Sequence, residues 1–162
     1  MDYLEFLKTK IEIAPESGFA VDPGAVNKAL KPHQRDAVVW ALKGGRRALF
    51  ESFGLGKTVQ EIEFCHLAAD EMMGRALIVL PLGVKQEFTR DAVELLGYEK
   101  PKYCRTMEEV YASDSEIVLT NYERVRDGDI RPDYFVATAL DEASVLRSFG
   151  SKTYQTFLDK FK

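Results

Sequence analysis

Short apolar runs alternate with segments of helical periodicity through most of the chain, and this alternation admits few folds. Ala48-Leu49-Phe50, Ala76 to Leu80, Lys102 to Arg105, Glu116 to Thr120 and Tyr134 to Leu140 read as five strands. Residues from His33 to Lys43, Thr58 to Met73, Val84 to Leu96, Met107 to Tyr111, Asn121 to Val125 and Ser151 to Phe161 read as helices. Pro32 stands where helices start and Gly44-Gly45 where they stop. Strands alternating with helices predict an α/β domain, a mainly parallel sheet covered by helices on both faces. The 162 residues suffice for one such domain. In open sheets of this kind, ligands bind beyond the carboxyl ends of the strands, so chemistry is expected directly after each strand.

After the first expected strand comes Glu51-Ser52-Phe53-Gly54-Leu55-Gly56-Lys57-Thr58, whose last residues open a helix. Glycine lets a backbone approach a phosphate closely and tolerates positive φ. A helix N-terminus adds free N–H groups and positive potential. Lys57 would reach the β- and γ-phosphates, and the Thr58 hydroxyl would ligate Mg²⁺. The pattern departs from a full phosphate loop at its first position, where Glu51 replaces glycine. After the fifth expected strand comes Asp141-Glu142-Ala143-Ser144. An acid there can hold Mg²⁺ through water, and a second can deprotonate an attacking water. A helix cap is the plainer use of such residues.

These residues resemble the first RecA-like domain of superfamily-2 helicases and translocases, within them the Swi/Snf-like branch, and most of all helicase-like proteins of phages and prophages. Leu30-Lys31-Pro32-His33-Gln34 is similar to the family's adenine-reading Q motif, and Gly54-Leu55-Gly56-Lys57-Thr58 to its motif I. Pro81-Leu82-Gly83-Val84, followed by Gln86-Glu87, resembles motif Ia, and Thr120-Asn121-Tyr122-Glu123 a short motif that touches the nucleic-acid backbone. Asp141-Glu142-Ala143-Ser144 resembles motif II, the DEAH box, with Ser144 in place of its histidine. The resemblance implies an N-terminal extension over residues 1–29 and a RecA-like P-loop domain over 30–162. It implies ATP and Mg²⁺ as cofactors. Gln34 would select adenine, and Gly54, Leu55, Gly56, Lys57 and Thr58 would hold the phosphates. Thr58 and Asp141 would hold the metal, and Glu142, Asp141 and Lys57 would carry the catalysis. Pro81, Leu82, Gly83, Thr120, Asn121 and Tyr122 would meet nucleic acid, either single- or double-stranded DNA. No Ser-Ala-Thr-like motif, second RecA-like domain or arginine finger is found in the sequence, so a second such domain or a partner chain would be needed to complete the site.

A net charge of −4 excludes a strongly basic nucleic-acid coat protein but allows a local basic groove. Cys65 and Cys104 are far apart and in no zinc or disulfide pattern, which points to a reducing cytoplasm, of a bacterium or a phage-infected host. No apolar run approaches the roughly 20 residues of a membrane span. Asp2 to Lys10 reads as an amphipathic helix, followed by a Pro- and Gly-rich loop in which Phe19 is either a packing anchor or a stacking partner for adenine. His33 and His66 lack ligand spacing, and Trp40 reads as core. Lys85, Arg90 and Arg124 are candidates for phosphate contacts or for solvated faces. Two further readings stay open: a nucleotide-binding interaction module without turnover, and another P-loop enzyme such as a nucleotide kinase.

Overall fold

The computed structural model describes residues 15–52, 54–148 and 150–161. The helix expected at Asp2 to Lys10 lies outside them. Four parallel strands form one sheet: β1 (Ala76–Val79), β2 (Lys102–Tyr103), β3 (Ile117–Thr120) and β4 (Ala137–Leu140). Their order is β2-β3-β1-β4, with Ala76 opposite both Ile117 and Ala137. The helices are α1 (Pro32–Gly44), α2 (Lys57–Glu71), α3 (Lys85–Arg90), α4 (Met107–Tyr111), α5 (Tyr122–Asp127) and α6 (Lys152–Lys160).

The strands alternate their side chains between two cores, as the two-residue period of a strand requires. Ala76, Ile78, Leu80, Ile117 and Leu119 join Val38, Leu42, Ile62, Cys65 and Phe88 on the face covered by α1, α2 and α3. Leu77, Val79 and Val118 join Val110, Tyr122, Val125 and Phe157 on the face covered by α4, α5 and α6. Each fully buried Leu, Ile or Phe contributes roughly 1.5–3 kcal/mol through removal of apolar surface from water. The loop before α1 belongs to the same body. Val26 and Leu30 are buried in the first core, Phe19 packs against it, and the Phe19 N–H donates to the Leu42 carbonyl.

Several expectations are corrected. Ala48-Leu49-Phe50 forms no strand, and Phe50 is 97% exposed. A run of three apolar residues following Arg46-Arg47 has too few side chains to hold a central strand by burial. The outer edge of β4 therefore has no partner among the described residues, and all four β4 residues remain partly exposed. Tyr134 is not strand but the end of a 3-10 turn, Pro132–Tyr134, as its leading proline favours. The helix expected from Val84 is α3 continued by one π turn over Asp91–Leu95, in which the Leu96 N–H reaches the Asp91 carbonyl. Trp40 is not core: it is 49% exposed, with the Arg47 guanidinium 5.4 Å from its ring centroid.

Candidate nucleotide site

The loop between Glu51 and α2 turns on two glycines. Gly54 (φ 82°) and Gly56 (φ 77°) both lie in the left-handed region, where a side chain would be strained. Gly56 is also pinned sterically, since a Cβ there would stand 2.4 Å from Gln34 Nε2. Gln34 is buried, and its amide clamps the loop. Its Nε2 donates to the Leu55 carbonyl at 2.8 Å, and its Oε1 accepts from the Lys31 N–H at 2.8 Å. Gln60, on the first turn of α2, ties the loop from the other side, with Nε2 donating to Glu51 Oε2 at 2.8 Å. Lys57 curls back over the loop, its Nζ 3.5 Å from the Glu51 carbonyl.

β4 delivers the acidic motif beside this loop. The Asp141 N–H donates to the Val79 carbonyl at 2.8 Å, which extends the sheet by one residue, and the Asp141 carbonyl accepts from the Tyr122 hydroxyl at 2.6 Å. Burial pushes the Asp141 carboxyl above the usual range. The Glu142 N–H opposes this, the Glu142 and Glu87 carboxylates add to it, and Lys57 also opposes it. Lys57 and Asp141, 84 positions apart in sequence, thus feel each other's field. Glu142 is one of two non-glycine residues with positive φ among the described residues, at 51°. Such strain persists where the surroundings enforce it. Here the Ser144 hydroxyl donates to Glu142 Oε1 at 2.7 Å, so the residue that departs from the DEAH pattern orients the expected general base.

Two acids that sequence reasoning did not assign also face this region. Glu61 lies one helical turn after Lys57, and its Oε2 is enclosed with no hydrogen-bond partner. Burial first, and then the Asp141 charge, push its pKa up to about 8, with Lys57 acting in the opposite sense. The i, i+4 spacing from Lys57 is the signal that would have found it. Glu87, in the stretch resembling motif Ia, accepts from the Thr58 hydroxyl over a long 3.4 Å.

The expected nucleic-acid residues divide into two groups. Leu82 and Gly83 are exposed, Pro81 is half-buried, and a Cβ on Gly83 would meet nothing within 4 Å. Thr120 and Tyr122 are buried, with the Thr120 hydroxyl on the Cys104 carbonyl and the Tyr122 ring against Phe157. Asn121 lies nearer the surface and accepts from the Tyr103 hydroxyl at 2.9 Å. Arg90 and Arg124 are paired with Asp91 and Asp129, and His66 with Glu116.

No protein-family model matches the sequence, and no curated protein matches it. Solved structures do match by shape. The UvsW helicase of bacteriophage T4 superposes with a TM-score of 0.65 at 16% identity, over 99% of this chain and 56% of that one. The SWI2/SNF2 ATPase core domain of Sulfolobus solfataricus gives 0.65 at 20% identity, over 93% and 34%. The same ATPase core in complex with double-stranded DNA gives 0.65 at 19%, over 85% and 31%. The chain therefore has the α/β fold, a parallel sheet covered by helices, that these structures share. The chain spans between 31% and 56% of the length of these structures. Asp141 and Glu142 follow directly on the carboxyl end of β4, and Lys57 lies near enough to act on the Asp141 carboxyl. No helix among the described residues is long and apolar enough to cross a membrane.

The donors present suit a magnesium nucleotide. Thr58 and Asp141 offer the hard oxygens that Mg²⁺ prefers, few enough for it to keep several waters. Glu61 Oε2 is an orphaned acceptor in the same region. Gly54 leaves open space where a Cβ would stand, which is what a phosphate cradle requires.

Proposed function

We propose that the chain is the ATP-binding motor domain of a nucleic-acid-dependent ATPase, a DNA helicase or translocase. The observation that carries this reading is the convergence of a left-handed Gly54/Gly56 loop, Lys57 and the Asp141-Glu142 pair at one sheet edge. Lys57 leaves the Glu51 carbonyl to meet phosphate charge, and the α2 N-terminus adds its N–H groups. Thr58 and Asp141 hold Mg²⁺, which supplies charge neutralisation on the phosphate oxygens. Glu142, held by Ser144, accepts the proton of the attacking water. Gln34 retains one N–H and one oxygen lone pair beyond its contacts with the Leu55 carbonyl and the Lys31 N–H, and these are the groups left to read adenine. Leu82, Gly83 and Asn121 meet a nucleic-acid backbone, while Thr120 and Tyr122 shape that surface from beneath. A second RecA-like domain, on the same polypeptide or on a partner, completes the site.

Lys57→Ala tests the phosphate loop. Losing a charge-assisted hydrogen bond costs about 1.5–3 kcal/mol, so Mg-ATP affinity is expected to fall roughly 10- to 100-fold in isothermal titration. Equal affinity in mutant and wild type would remove the assignment.

A further inference from the structure

The nucleotide site occupies the carboxyl ends of β1 and β4. A separate concave region runs along the outer edge of β2, at the far side of the sheet. Two open clefts, of about 600 and 540 Å³, adjoin there and share Lys85, Lys102 and Tyr103. Together they form one groove lined by five cations and two carboxylates, in a chain whose net charge is −4. Arg105 is paired with Glu109 at 3.2 Å and Arg90 with Asp91 at 2.8 Å. Lys85, Lys100 and Lys102 have no ion pair among the described residues, and the Lys85 ammonium rests 4.8 Å from the Tyr103 ring centroid.

Lysine on an edge strand also discourages strand addition. That role explains Lys102. It does not explain Lys85 on α3 or Lys100 in the loop before β2, which face the same groove from other elements. The groove is continuous with the two surface motifs described above. Lys85 follows directly on Pro81-Leu82-Gly83-Val84, and the Tyr103 hydroxyl is bonded to Asn121.

We propose that this groove carries a single-stranded nucleic acid beyond those motifs, with Lys85, Lys100 and Lys102 on its phosphates and one base stacked on Tyr103. The inference rests on the nucleic-acid-dependent reading above. Cations spaced around an aromatic ring suit a strand in which phosphates alternate with flat bases, and such contacts read no sequence. A base that takes the ring face displaces the Lys85 ammonium onto the neighbouring phosphate.

The test is fluorescence anisotropy of labelled oligo(dT) across a salt series, with Mg-ATP affinity as the check that each variant is folded. Lys100→Glu/Lys102→Glu is expected to weaken binding at least about 10-fold and to flatten the salt slope by about one and a half. Tyr103→Ala is expected to lose about 5- to 100-fold, and Tyr103→Phe to restore most of it, because stacking needs the ring and not the hydroxyl. Wild-type affinity and salt slope in both the charge-reversed and the alanine variants would overturn the groove while leaving the nucleic-acid reading intact. No oligonucleotide binding by the wild type at low salt would overturn both. Displacement of oligo(dT) by polyglutamate at equal charge concentration would assign the groove to an acidic polypeptide instead.

Discussion

At neutral pH the Glu61 carboxyl carries its proton in the nucleotide-free chain, because its pKa stands near 8 against an ordinary 4.5. Below pH 4.5 the group is protonated folded or unfolded and is neutral to stability. As pH rises from 4.5 to 8 the unfolded chain ionises there while the folded chain does not, so stability falls through that window and levels off above it. The expected loss is on the order of 5 kcal/mol across the window. Glu61→Gln keeps the shape without the charge, so its thermal melts should decline less than those of the wild type between pH 5 and pH 8.5. Equal declines would mean that Glu61 ionises freely. That Lys57 comes near Asp141 was legible in the sequence, because both sit in short motifs. Glu61 was not, because its place depends on the rotation of α2 that buries Ile62 and Cys65 and leaves the Glu61 carboxyl beside Asp141. Tyr122 shows the converse. Its motif pointed to nucleic acid, but as the first residue of α5 it turns inward onto Phe157, leaving Asn121 at the surface.

At the scale of elements, one side chain fastens the amino-terminal end of the sheet. Arg75, just before β1, donates from Nε to the Ser115 carbonyl at 2.9 Å, from Nη1 to Val110 at 2.8 Å and from Nη2 to Ser113 at 2.7 Å. Three carbonyls, one in α4 and two in the segment leading to β3, are thereby satisfied by one guanidinium fork, a geometry lysine cannot reproduce. Arg75→Ala and Arg75→Lys are both expected to lower stability, the alanine by roughly 2–4 kcal/mol in urea denaturation, with the lysine recovering only part. Strands β1, β3 and β4 were readable from their apolar runs, and α4 keeps its expected bounds, capped in the structure by Thr106, whose hydroxyl accepts the Glu109 N–H. The 48–50 segment was misread because burial, not apolarity, decides a strand, and burial is a property of neighbours. The π turn after α3 left no mark in the periodicity, because it closes the helix at Leu95 and no later turn follows to display the shifted register.

At the scale of the whole molecule, the proposed site would offer one cation among the described residues, Lys57, to the phosphates, whereas hydrolysis in related systems gains 10³–10⁵ from an arginine finger. The 162-residue chain by itself is therefore expected to turn over ATP very slowly in a single-turnover assay, with or without single-stranded DNA, using Glu142→Gln as the blank. Robust, DNA-stimulated turnover that depends on Glu142 would require an arginine from a neighbouring copy, with Arg147 the first to replace. The sheet itself has an asymmetry that bears on how the chain behaves in solution. On one side β2 is only two residues long and ends the sheet with Lys102. On the other, β4 offers Ala-Thr-Ala-Leu, an uncharged backbone edge with no described partner, close in sequence to no guarding lysine. Among the described residues nothing closes that side of the sheet. Two copies can meet there, strand beside strand, and what would elsewhere be the place for one more strand of the same chain becomes a seam for self-assembly at high concentration.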